Sequence, residues 1–101
     1  MNKRIIIRAI RAYRKAFEYE QKMYKIIDMM AIKAGKTAYI EEMGDIQYEA
    51  EQIIAEESGF NDILNLEDYD TYMRDIVEMI KDGKSEESIL IKIIEIRKQY
   101  M

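Results

Sequence analysis

An all-α domain, a compact bundle of about four helices with a long first helix, is the fold this sequence predicts. Three observations carry it. The 101 residues contain no proline and only four glycines, and so few breakers favour long helices over many short strands. Apolar residues recur at three- and four-residue steps, the signature of one buried helix face. Gly35, Gly59 and Gly83 and several short polar residues fall where the helices read this way begin and stop.

The first helix is read over residues 3–34. Ile6, Ala9, Ile10, Tyr13, Ala16, Phe17, Met23, Tyr24, Ile27, Met30, Ala31 and Ala34 share one face, and Glu20 is the charged residue inside that stripe. Gly35 stands where a C-cap glycine belongs. Thr37 is read as the N-cap of a second helix over 38–57, with stripe Tyr39, Met43, Ile46, Ala50, Ile53 and Ile54. Gly44 weakens that helix by about 1 kcal/mol relative to Ala. Ser58 and Gly59 end it.

Residues 59–65 read as a connection, with Phe60, Ile63 and Leu64 tucked against the core. Asn65, three residues before Asp68, is a capping arrangement for a third helix over 66–81. Its stripe is Tyr69, Tyr72, Met73, Ile76, Met79 and Ile80, and Gly83 closes it. Ser85 opens a fourth helix running to about residue 99, and Glu86 and Glu87 in its first turn suit the helix dipole. The run from Ile89 to Ile96 is rich in β-branched residues and has strand propensity. It is read as helix because no second strand is available to pair with it.

A first helix of this length is about 48 Å long, against roughly 35 Å for a compact domain of this size. It must kink, overhang or be covered. The overhang is expected at the Ile5-Ile6-Ile7 end, where exposed isoleucines would form an association site for a possible homo-oligomer.

Composition sets the other bounds. One single helical domain, 1–101, accounts for the length, and 49% apolar residues exclude a disordered composition. Nineteen residues are Ile and three are Leu, which fits mutational bias in an AT-rich genome. Cysteine is absent, which fits a reducing, cytoplasmic setting. No apolar run reaches the ~20 residues of a membrane span. The start Met1 to Ile7 resembles a signal peptide, but Arg8, Arg11 and Arg14 break any apolar h-region.

Charge is sorted along the chain. Residues 1–25 carry eight Lys/Arg against two Glu, and residues 36–87 carry sixteen Asp/Glu against four Lys/Arg, although the formal net charge is −4. Two oppositely charged surfaces are implied, and such surfaces select partners. The acidic one holds a ladder on the second helix, Glu41, Asp45, Glu49 and Glu56, followed by Asp68 and Asp70 on the third. Carboxylates about 6 Å apart approach the density of phosphates on a nucleic-acid strand. The basic one is a line on the first helix, Arg4, Arg8, Arg11 and Lys15, continued by Lys22 and Lys25, which could follow a phosphate backbone. The commonest use of either face is solvation.

Most chemistry lacks its parts. With no His and no Cys, triads, thiol nucleophiles, zinc sites and haem ligation are excluded, and no glycine-rich phosphate loop exists. No metal or other cofactor is expected. Eight Tyr and eight Met are first core material, while Tyr19, Tyr48 and Tyr100 lie off the stripes and are interface candidates.

One constellation has a family likeness. Glu41-Glu42-x-x-Asp45 with Glu67-x-x-Asp70 resembles the paired acidic motifs of MazG-type all-α nucleotide pyrophosphatases. That resemblance implies carboxylates from consecutive helices holding Mg²⁺. The third position is Asp where that pattern prefers Glu.

The expectation from sequence is a non-catalytic protein-binding inhibitor or regulator. Its acidic surface, Glu41, Asp45, Glu49, Glu56, Asp68 and Asp70, would mimic nucleic acid and dock onto a nucleic-acid-processing enzyme. Anti-CRISPR-type proteins of phages and mobile elements work in this way, by analogy of type. The alternatives are a nucleic-acid-binding protein using Arg4, Arg8, Arg11 and Lys15, and a Mg²⁺-dependent pyrophosphatase.

Overall fold

Among the described residues five helices follow one another: α1 (Lys3–Met29), α2 (Lys36–Ser58), α3 (Phe60–Ile63), α4 (Leu66–Lys81) and α5 (Glu86–Tyr100). The computed structural model describes residues 1–29 and 36–100, with backbone alone for 26–29 and 36–39. The expected roles of Ile27, Met30, Ala31, Ala34, Gly35, Thr37 and Tyr39 lie outside what is described.

Local chemistry explains the ends. The Asn65 side chain accepts a hydrogen bond from the Asp68 amide at 2.8 Å, and Ser85 Oγ accepts from the Ser88 amide at 3.1 Å. Both are N-caps that satisfy amides the helix leaves without partners. α4 stops in a Schellman motif: Gly83 adopts φ 78, its amide reaches Ile80 O at 3.1 Å, and the Lys84 amide reaches Met79 O at 3.0 Å. The Ile-rich segment of α5 is helical, as its lack of a strand partner required, and Ile89, Ile93 and Ile96 are buried.

The connection read over 59–65 contains a helical turn, α3. Gly59, at φ 78, reverses the chain, and the turn inserts Phe60, which is fully buried. Ile63 and Leu64 pack against the core beside it. Arg97 of α5 donates to the Ser58 carbonyl at the same corner.

α1 and α2 form an antiparallel hairpin. One end of it packs on α3, α4 and α5 around Ile6, Ile10, Ile54, Phe60, Ile76 and Ile93, all fully buried. Each such side chain contributes about 1.5–3 kcal/mol by leaving water. Glu20, the charge within the α1 stripe, is half-buried and accepts from Gln47 Nε2 of α2 at 3.1 Å, a polar tie inside the hairpin.

The long helix does outrun the bundle, but at the other end. Ile6 is fully buried and Ile7 is half-buried, so the N-terminal part of α1 is not the overhang. The far half of the hairpin projects instead. Tyr24 is in phase with the core stripe yet 46% exposed. The molecule measures 52 × 25 × 20 Å, and its radius of gyration is 15.3 Å, against about 13 Å for a compact chain of this length. Ile46 and Ile53, read as core residues of α2, are each 39% exposed. The reason is geometric: α4 and α5 cover one side of the hairpin, and these two isoleucines face the other.

Candidate functional site

The acidic ladder of α2 is presented outward. Glu41, Asp45, Glu49 and Glu56 are exposed, at wheel positions away from the core residues Ala50 and Ile54. None of these four carboxylates, nor that of Asp70, has an ion pair or a side-chain hydrogen bond among the described residues. Tyr48, on the same outer side, is 64% exposed.

The two acids from α4 are separated from each other. Asp68 is turned to α5, where its Oδ2 accepts from the Tyr100 hydroxyl at 2.7 Å. That hydrogen bond pushes the Tyr100 phenol above its ordinary pKa range. The Tyr100 ring meets Tyr72 edge-on, with centroids 6.3 Å apart. Asp70 instead lines a cleft with Glu51, Tyr69, Arg74 and Lys81. There burial pushes the Glu51 carboxyl above the usual carboxylate range, with Lys81 opposing. The ladder on α2 is therefore one surface, Asp70 lies in the cleft with Glu51, Arg74 and Lys81, and Asp68 is turned to α5.

The pyrophosphatase-like constellation is not assembled. Among the described residues no three carboxylates gather as a metal donor set. α4 meets α2 around Tyr48 to Gln52, beyond Glu41, Glu42 and Asp45, so the two acidic motifs do not converge.

The basic line of α1 is broken by its neighbours. Arg11 donates to both carboxylate oxygens of Glu86, at 2.6 and 3.0 Å, which holds the Glu86 carboxyl below its usual range. Arg14 donates to Ile80 O and Lys84 O, satisfying the carbonyl end of α4. Arg4, Arg8 and Lys15 are exposed. Part of the basic segment thus fastens α1 to the α4–α5 turn.

A further surface escaped the sequence reading. On the uncovered side of the hairpin an apolar groove runs between α1 and α2, lined by Ala12, Ala16, Tyr19, Met43 and Ile46 and continued by Ile5 and Ile53. The signal was present in α2. Ile46 and Ile53 widen the stripe of Ala50 and Ile54 beyond what one covered face needs.

No protein-family model matches this chain, and comparison with curated proteins and with solved structures returns no match. No helix among the described residues is long and apolar enough to cross a membrane.

Proposed function

We propose that this chain is a non-catalytic binding protein that sets the acidic face of α2 against a basic, nucleic-acid-binding surface of a partner protein. The observation that carries the reading is the ladder Glu41, Asp45, Glu49 and Glu56: four exposed carboxylates on one helix, none of them in an ion pair among the described residues. A face of this kind costs no side-chain rearrangement to present, and its field steers a cationic partner. Asp70 lies apart, in the cleft with Glu51, Arg74 and Lys81, and Asp68 is occupied with Tyr100. The reading fits an inhibitor that occupies a nucleic-acid groove, the anti-CRISPR type of action among others.

Binding through the basic line is less well supported, because Arg11 in its middle is engaged with Glu86 within the fold. The test is capture of partner proteins from a lysate of the host cell, with wild type beside Glu41→Lys/Asp45→Lys/Glu56→Lys. The mimic reading expects capture of basic proteins that the triple variant loses and that added duplex oligonucleotide displaces. Equal capture by both forms, or capture indifferent to oligonucleotide, overturns it.

A further inference from the structure

The groove between α1 and α2 is asymmetric in two properties at once. In size, α1 is small at Ala12 and Ala16, where α2 is bulky at Met43 and Ile46, with Ile5 and Tyr19 of α1 at the two ends of the groove and Ala50 of α2 beside Ile53. In charge, the α1 rim is basic and the α2 rim acidic. Arg8 stands across from Glu49 in one stretch of the groove, and Lys15 across from Glu42 in the next. None of these four joins an ion pair among the described residues.

Both asymmetries are self-complementary under one operation. A two-fold axis parallel to the helices lays α1 of one copy over α2 of the other. Small residues then receive large ones, Ala12 opposite the partner's Ile46. Each basic rim meets an acidic one, Arg8 level with the partner's Glu49 and Lys15 with the partner's Glu42, and the reverse pairs follow from the symmetry. An axis across the helices would instead set α1 on α1, small on small and basic on basic.

We propose that this groove is the contact face of a symmetric dimer of this chain, in which the two hairpins form a four-helix layer pair with charge-matched rims. The inference does not rest on the acidic-face reading: Glu41, Asp45 and Glu56 stay outside the contact, and Glu49 is the one ladder residue that the two surfaces share.

Sedimentation velocity over a range of concentrations tests it, with two double reversals, Arg8→Glu/Lys15→Glu and Glu42→Lys/Glu49→Lys. Wild type is expected at twice the chain mass at high micromolar concentration. Each double variant replaces attractive pairs with repulsive ones and should weaken self-association by roughly tenfold or more. Mixing the two variants should restore a dimer, since the acidic α1 of one then faces the basic α2 of the other. The altered side chains are exposed, and circular dichroism checks that each variant folds. Should a double variant fail to fold, Ile46→Ser, which removes the central apolar contact, should be monomeric. A wild type that stays monomeric overturns the proposal and leaves the groove to a different protein. Variants that dimerise like wild type, or a mixture that does not re-associate, overturn it as well.

Discussion

The two halves of the α1–α2 hairpin are written in the same apolar periodicity and reach different environments. In one half, Ile6, Ile10, Tyr13 and Ile54 meet α3, α4 and α5 and lose their contact with water. In the other, Tyr24 of the same stripe remains 46% exposed although Met23 beside it is buried, because each helix there has only the other to pack on. A stripe at 3.6-residue spacing states which face seeks burial. It does not state how many layers will cover that face. The covered half should carry most of the stability, and the projecting half should be free to carry contacts with other molecules.

The largest expected effect breaks the covered half. Phe60→Ala empties a fully buried aromatic site and should cost about 3–5 kcal/mol, much of a small domain's total. Ile46→Ala, truncating a side chain that is 39% exposed, should cost under about 1 kcal/mol in the monomer. Urea titration of both decides, and equal losses would erase the distinction between the covered core and the open side of the hairpin.

Gly59→Ala comes next. Its φ of 78 is left-handed, and an added Cβ would lie 2.7 Å from Arg97 Nη1. Arg97 must then move and give up its bond to the Ser58 carbonyl, so a loss of about 1–2 kcal/mol is expected. Gly44 lies in the projecting half with nothing within 4 Å of an added Cβ. Gly44→Ala should therefore stabilise α2, by about 0.5–1 kcal/mol at most. A smaller gain in global stability than in local amide protection would sharpen the contrast, because the projecting half opens on its own.

The smallest effect concerns pH. Burial raises the Glu51 carboxyl above its unfolded value, so its ionised form is disfavoured in the fold. That cost is fully present above the raised pKa and disappears as pH falls towards the ordinary ~4.3. Glu51→Gln should raise the melting temperature at pH 7 and have less effect at pH 4. An equal shift at both values would mean that desolvation of the charge is not the cause.

Much of the fold was legible in the residues. Asn65, Gly83 and Ser85 marked ends through backbone chemistry that depends only on near neighbours, and the structure keeps all three. α3 was read as connection because a four-residue turn is too short to show a period. The length of α1 announced an overhang, yet Ile5-Ile6-Ile7 and Met23-Tyr24 read alike, and only the placement of α4 and α5 decides which end is covered. The acidic ladder on α2 was legible because it lies on one helix. Asp68 and Asp70, two residues apart, were grouped by sequence and are divided by the fold, since residues at that separation leave a helix in different directions.

Native-state hydrogen exchange at low protein concentration tests the central contrast most directly. The account predicts that amides of residues 40–49 exchange through local opening at free energies well below those of Ile89, Ile93 and Ile96, which open only with the whole bundle. Raising the concentration should narrow the gap as the groove is covered. Equal protection of the two sets at low concentration would contradict the account, because the hairpin would then be one cooperative unit along its whole length.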